Sequence, residues 1–159
     1  MTTILYSTNT GTTRRYAELL SEKTGCPCLP LDKWERAETG DAVFLGWIFG
    51  GDIQGLKQMQ ETGLTLRAVG AVGIMEQDKA QVQEKNCPDL PFCFLPGAFE
   101  LKKLKGMYKL MAGMIAKVIK GKLKDNKDPE SEKILGFFEN GIDLFDEAAL
   151  EPLVPLCTE

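Results

Sequence analysis

Leu5-Tyr6-Ser7-Thr8-Asn9-Thr10-Gly11-Thr12-Thr13 is the stretch from which the fold can be read. Three apolar residues, Ile4, Leu5 and Tyr6, run into a turn of hydroxyl and amide side chains with one glycine. From Thr12 to Thr24 the pattern turns helical. Tyr16, Leu19 and Leu20 fall on one face, and Arg14, Glu18, Glu22 and Lys23 on the other. Gly25 and Pro27 stop it. A strand that enters a helix through a polar turn presents unpaired backbone N–H groups at the positive end of a helix dipole. That is a ready anion site.

Outward from this turn the chain alternates. Thr3 to Ser7 reads as a first strand buried on both faces, and Cys28 to Leu31 as a proline-interrupted second strand suited to a sheet edge. Lys33 to Thr39 is a polar connection. Ala42 to Trp47 is a third, strongly apolar strand, and Ile48-Phe49-Gly50-Gly51-Asp52 reads as the loop after it. Ile53 to Glu61 reads as a helix capped by Asp52 and ended by Gly63. Ala68 to Ile74 is a fourth strand whose glycines suit close packing against a helix. Asp78 to Lys85 is a short helix and Pro91 to Leu95 a fifth strand. Strands alternating with helices imply a parallel α/β sheet.

Leu101 to Lys120 is the longest helical pattern, with one stripe of Leu101, Leu104, Tyr108, Met111, Ile115 and Val118 widened by Met107, Leu110 and Met114. Met107, Met111 and Met114 read as core filling. A charged connection runs from Lys124 to Pro129. Ser131 to Glu139 and Asp146 to Leu156 read as further helices, with an Asn140-Gly141 turn between them.

Composition narrows the function classes. The 159 residues suffice for one domain with a substantial core. The net charge of −4 conceals an asymmetry: residues 100–127 hold nine lysines against Glu100 and Asp125, leaving −11 on the remainder. The acidic bulk argues against nucleic acid as a partner. The lysine segment, a solvated face by default, leaves open a peripheral contact with an acidic partner or anionic lipid. No apolar run reaches the roughly 18 residues of a membrane span, so no transmembrane segment is expected. Met1-Thr2-Thr3-Ile4 has no basic region, so no secretory signal is expected either. Five cysteines, an odd number, point to reduced thiols in a cytoplasmic protein. Most are expected to be small buried hydrophobes, and Cys26 with Cys28 makes a poor metal site. There is no histidine, which removes His-based triads and His-ligated metals.

In a doubly wound sheet with strand order 2-1-3-4-5, ligands sit where the winding reverses, between the first and third strands. One loop there offers anion donors and the other, at Trp47 to Gly51, a flat apolar wall. The turn lacks the Gly-Lys-Ser/Thr of a P-loop, which argues against Mg-ATP chemistry. A receiver domain needs an aspartate where Gly46-Trp47 stands. A low-molecular-weight phosphatase needs a cysteine six positions before an arginine. Thr8 and Arg14 keep that spacing, but a threonine cannot replace a low-pKa thiolate.

Thr8-Asn9-Thr10-Gly11-Thr12-Thr13 resembles the flavodoxin phosphate signature Ser/Thr-x-Thr-Gly-Asn-Thr, with Thr12 in place of the usual asparagine. Leu45 to Gly51 and Phe94 to Phe99, followed by a lysine-rich helix, resemble the flavodoxin-domain branch that includes menaquinone-dependent protoporphyrinogen dehydrogenases. The resemblance runs to about residue 120. It implies a flavodoxin-like three-layer α/β sandwich with a five-stranded parallel sheet in order 2-1-3-4-5, formed as one domain over residues 1–159. It also implies FMN as cofactor, with its phosphate held by Thr8, Asn9, Thr10, Gly11, Thr12 and Thr13. Trp47, Ile48, Phe49 and Gly50 would line one side of the isoalloxazine, and Met75, Glu76, Gln77 and Asp78 the other. The implied role is electron transfer between redox partners, proteins or small molecules, with no catalytic residues of its own. The alternative is a flavin-dependent oxidoreductase acting on a quinone or porphyrinogen. Arg14 or Arg15 is expected to assist the phosphate, and Glu76 and Asp78 to lower the flavin potential.

Overall fold

A computed structural model describes residues 2–34, 40–125 and 129–158. Most of the connection expected at 33–39, and the centre of that at 124–129, lie outside the described residues. The internal contacts divide the chain into two compact units, Met1–Gly97 with Phe145–Glu159, and Ala98–Leu144.

The first unit is a parallel sheet between two helical layers, a flavodoxin-like three-layer sandwich. Its strands are β1 (Thr2–Tyr6), β2 (Cys28–Pro30), β3 (Asp41–Phe49), β5 (Thr65–Gly73) and β6 (Phe92–Pro96). They lie in the order β2-β1-β3-β5-β6, all parallel, and the short β4 (Asp52–Ile53) pairs antiparallel with β3. The order matches the sequence expectation once β4 is set aside. β2 occupies an edge, where Pro30 disrupts no interior ladder.

The strand pleat divides the core in two. Ile4, Tyr6, Val43, Leu45, Ala68 and Val72 face α1 (Thr12–Thr24) and the C-terminal helical segment. That segment is a 3₁₀ turn, Glu147–Leu153, followed by the short helix α6 (Val154–Thr158). Leu5, Phe44, Val69 and Ala71 face the opposite way, onto α2 (Leu56–Gln60) and α3 (Lys79–Asn86). Successive residues along each strand alternate between these layers, so near-continuous apolar runs are needed on β1 and β3. At Gly70 a Cβ would collide with Leu45 and lie 3.1 Å from Leu153, so the expected close approach of strand and helix is present.

Tyr16 ties this unit together. Its ring is fully buried and stacks on Phe145 at 4.3 Å. Its hydroxyl donates to the Pro96 carbonyl and accepts from the Asp146 amide at 2.9 Å.

The second unit is a helical hairpin, α4 (Met107–Asp125) and α5 (Pro129–Asn140). Its base is closed by β7 (Ala98–Phe99) pairing antiparallel with β8 (Ile142–Asp143). Phe99 meets Phe138 edge to face at 5.0 Å, and Lys120 pairs with Glu139 at 3.6 Å.

Three sequence expectations are corrected here. The long helix starts at Met107, after a separate 3₁₀ turn at Leu101–Lys103. The methionines do not fill a core: Met107, Met111 and Met114 are exposed, as are Ile115 and Val118 of the same stripe. α4 is apolar on two faces, and it packs through Tyr108, Ala112, Ile119 and Leu123 instead. Finally, Asp52 does not cap α2. Asp52 and Ile53 extend antiparallel to β3, and Gly55 precedes the helix.

Candidate functional site

The polar turn sits at the carboxyl end of β1. The Ser7 amide continues the ladder by donating to the Leu45 carbonyl at 3.0 Å, and the chain then leaves the sheet. Thr8 Oγ1 accepts from the Gly11 amide at 3.0 Å, which folds residues 8–11 back on themselves. Gly11 adopts φ 102°, a left-handed conformation that threonine in its place would resist. The first intrahelical bond of α1 runs from the Arg15 amide to Gly11. No side chain caps this end, and no acid stands in the first turn. The donors at Thr12, Thr13 and Arg14 are therefore oriented along one dipole without a local carboxylate to neutralise them.

The stretch after the third strand is not the loop expected from sequence. Trp47, Ile48 and Phe49 belong to β3, which continues to Phe49 and returns through a two-residue hairpin into β4. The hairpin turn is Gly50-Gly51, with φ 63° and 84°. A turn with both central residues left-handed matches the twist of the paired strands, and glycine adopts it without strain. Asn86 of α3 holds the hairpin: it accepts from the Ile53 amide at 3.1 Å and donates to the Gly51 carbonyl at 3.0 Å. Lys85 adds an ion pair to Asp52 at 3.0 Å.

Because β3 remains pleated to its end, its side chains alternate. Trp47 packs toward the α1 layer and meets Phe49 edge to face at 5.8 Å, while Ile48 packs toward the α2 and α3 layer. The residues expected beside the ring are thus divided, with Trp47 and Ile48 on opposite faces of the sheet. Ile48 and Gly50 border an open cleft of about 520 Å³, and Trp47 and Phe49 do not.

That cleft lies between the hairpin and the segment after β5. Its walls are Ile48, Gly50 and Gly51 on one side, Gly73, Ile74 and Met75 on the other, with Phe94 between. A Cβ on Gly73 would lie 2.9 Å from Ile48 and 3.0 Å from Phe94, so glycine there leaves both apolar side chains free to line the space. Asp78, Gln81, Val82 and Lys85 close the α3 side. Glu76 is exposed and pairs with Lys79 at 3.5 Å.

β1, β3 and β5 are adjacent and parallel, so their carboxyl ends share one edge of the sheet. At about 4.8 Å per strand, the turn after β1 and the segment after β5 are separated by roughly 10 Å across the end of β3. The winding reverses between β1 and β3. The polar turn and the apolar cleft thus flank the switch point from opposite sides.

Ile74, Gln81, Val82, Lys85, Asn86 and Phe94 were missed in the sequence reading as contributors to this edge. The helical spacing of Asp78, Gln81, Val82 and Lys85 marks one face of a helix beginning at the site, a signal that was available. Phe94 carried no such signal, since it reads as an ordinary strand residue. The arginines expected at the turn are engaged elsewhere: Arg14 pairs with Glu18 at 2.8 Å, and the Arg15 guanidinium lies 3.7 Å over the Phe145 ring.

The cysteines stand apart from this edge. Cys26, Cys87, Cys93 and Cys157 are buried and Cys28 half-buried, all as free thiols. Burial pushes the Cys28 thiol up to about 11 and, with Cys26 nearby, the Cys157 thiol up to about 12. Among the described residues no cluster of three or more metal-ligating side chains forms. In comparisons with known proteins, no family model matches this sequence and no curated protein matches it.

Proposed function

We propose that the chain is an FMN-binding flavoprotein that transfers electrons between redox partners in the cytoplasm. One juxtaposition supports this reading: an uncapped, acid-free helix start and an apolar-walled cleft stand on either side of the switch point of a doubly wound sheet. A flavin mononucleotide has one anionic end and one planar end, and the donor set suits each. The hydroxyls of Thr8, Thr10, Thr12 and Thr13, the Asn9 amide and the backbone at Gly11 would hold the phosphate by oriented dipoles rather than by a cation. Ile48, Gly50, Met75 and Phe94 would hold the ring.

The bound flavin would supply the redox chemistry, accepting and releasing electrons in the ring. The chain's own contribution is orientation, exclusion of water and local charge. Glu76 and Asp78 would disfavour added negative charge at the ring, while Lys79 and Lys85 beside them oppose that effect. Among the described residues the titratable groups lining the cleft are Asp78 and Lys85, and Lys85 is paired with Asp52 at 3.0 Å. The partner is read as a redox protein or a small oxidant or reductant, and not nucleic acid, with a peripheral contact through the lysine-rich segment. The open mouth of the cleft favours one alternative, an oxidoreductase in which a quinone or porphyrinogen stacks at the exposed ring.

The deciding measurement is an absorbance spectrum of the purified protein after incubation with FMN and desalting. Retained flavin bands are expected, with riboflavin binding at least tenfold more weakly because it lacks the phosphate. Thr10→Val with Thr12→Val should weaken FMN and leave riboflavin unchanged. A colourless protein would overturn the reading and leave a non-redox binding module.

A further inference from the structure

α4 presents a second apolar face that nothing within its own unit covers. Met107, Leu110, Met111, Met114, Ile115 and Val118 recur at helical spacing and are 41–74 % exposed. Part of this stripe forms a shallow groove of about 430 Å³, bordered by Lys122. A contiguous apolar stripe of this kind on a helix exterior marks an interaction surface.

The surrounding charge indicates the occupant. Residues 102–124 carry eight lysines and no arginine, aspartate or glutamate. At helical spacing Lys117 and Lys124 follow one border of the stripe and Lys122 stands within it, while Lys109 and Lys120 fall toward the opposite face, where Lys120 pairs with Glu139. Protein interfaces favour aromatic residues, arginine and methionine and disfavour lysine; this stripe holds three methionines but no aromatic residue, and its cations are all lysine. A second copy would bring two lysine arrays face to face. Lysine beside aliphatic side chains instead suits a lipid surface, where the stems lie along the apolar boundary and the ammonium groups reach the phosphates. The helix, about 28 Å long, does not qualify as a membrane span.

We propose that this face of α4 docks on an anionic lipid surface, the helix lying in the plane of the headgroups with its aliphatic stripe turned toward the acyl chains. The contact needs no flavin and does not rest on the functional reading above.

The test is co-sedimentation of the full chain with large vesicles of phosphatidylcholine containing 30 % phosphatidylglycerol, against vesicles of phosphatidylcholine alone. Partitioning at least tenfold stronger onto the anionic vesicles is expected, weakening as salt is raised. Each lysine at the surface contributes roughly fivefold, so Lys117→Glu with Lys124→Glu should remove most of the preference for anionic lipid. Met114→Glu with Ile115→Glu should reduce binding at least tenfold. Both sites are exposed, and an unchanged circular dichroism spectrum confirms that the fold is intact. In a Met111→Trp variant, indole emission should shift to the blue on anionic vesicles. Three results would overturn the proposal: no partitioning at millimolar lipid, equal partitioning onto both vesicle types, or a sedimentation-velocity dimer abolished by Met114→Glu, which would assign the stripe to a second copy.

Discussion

Phe44 and Leu45 in the sheet unit are fully buried, while Met107 and Leu110 in the helical hairpin are 74 % and 66 % exposed. All four are large apolar side chains within regular secondary structure. The difference lies in how many faces each element has covered. A central parallel strand is flanked by helices on both sides, so every side chain it carries meets a layer. A helix in a two-helix hairpin meets one partner, and α4 is apolar on two faces. In the first unit apolar character therefore measures packing. In the second it measures packing on one face and an outward surface on the other.

This contrast can be tested by truncation. Phe44→Ala should destabilise the sheet unit by about 3–5 kcal/mol, because the ring is enclosed by Leu5, Ile53 and their neighbours and the site cannot collapse. Met114→Ala should change stability by no more than about 0.5 kcal/mol. Urea denaturation of both variants checks the pair, and a loss at Met114 as large as that at Phe44 would break the comparison.

Adding a methyl group sharpens it. At Gly46 a Cβ would lie 2.6 Å from Ile53 and 2.7 Å from the Gln54 carbonyl, so Gly46→Ala should destabilise by about 1–3 kcal/mol. At Gly113 in α4 the same atom meets nothing within 4 Å, so Gly113→Ala should stabilise by up to about 1 kcal/mol through helix propensity. Thermal melts of the two variants should move in opposite directions.

A last contrast is a pH dependence carried by thiols, since all five cysteines lie in the sheet unit. Burial, with Cys26 nearby, holds the Cys157 thiol at about 12, against 9.0 in the unfolded chain. Below pH 9 both states keep the proton and stability is unaffected. Between about 9 and 12 the unfolded chain releases it while the folded chain retains it, so stability should fall as pH rises. Comparing Tm with pH for the native chain and Cys157→Ala checks this: the variant should show a shallower decline.

Much of the sheet was legible in the sequence because its rules are local. Doubly buried strands need unbroken apolar runs, α1 ends at Gly25, and Pro30 belongs at an edge. The polar turn was equally legible, since its donors are consecutive residues. The cleft was only partly so. Ile48, Gly50, Met75 and Asp78 were named from the sequence and the helical spacing pointed to Lys85, but Phe94 and Asn86 reach the edge from other elements, and nothing local to them announces it.

By itself the sequence determined the strand order, the helix start with its uncapped donors, and the concentration of lysine between residues 102 and 124. Only the tertiary structure decided that Trp47 and Ile48 face opposite layers and that the methionines of α4 point outward. The physical reason is the same in both cases. Periodicity states which residues share a face, but the neighbour that covers the face is supplied by distant parts of the chain. At the end of β3 the hairpin, held by Asn86, extends the pleat past the point where sequence suggests a loop. In α4 the smaller face, through Ala112 and Ile119, turns inward and leaves the methionine face to the outside.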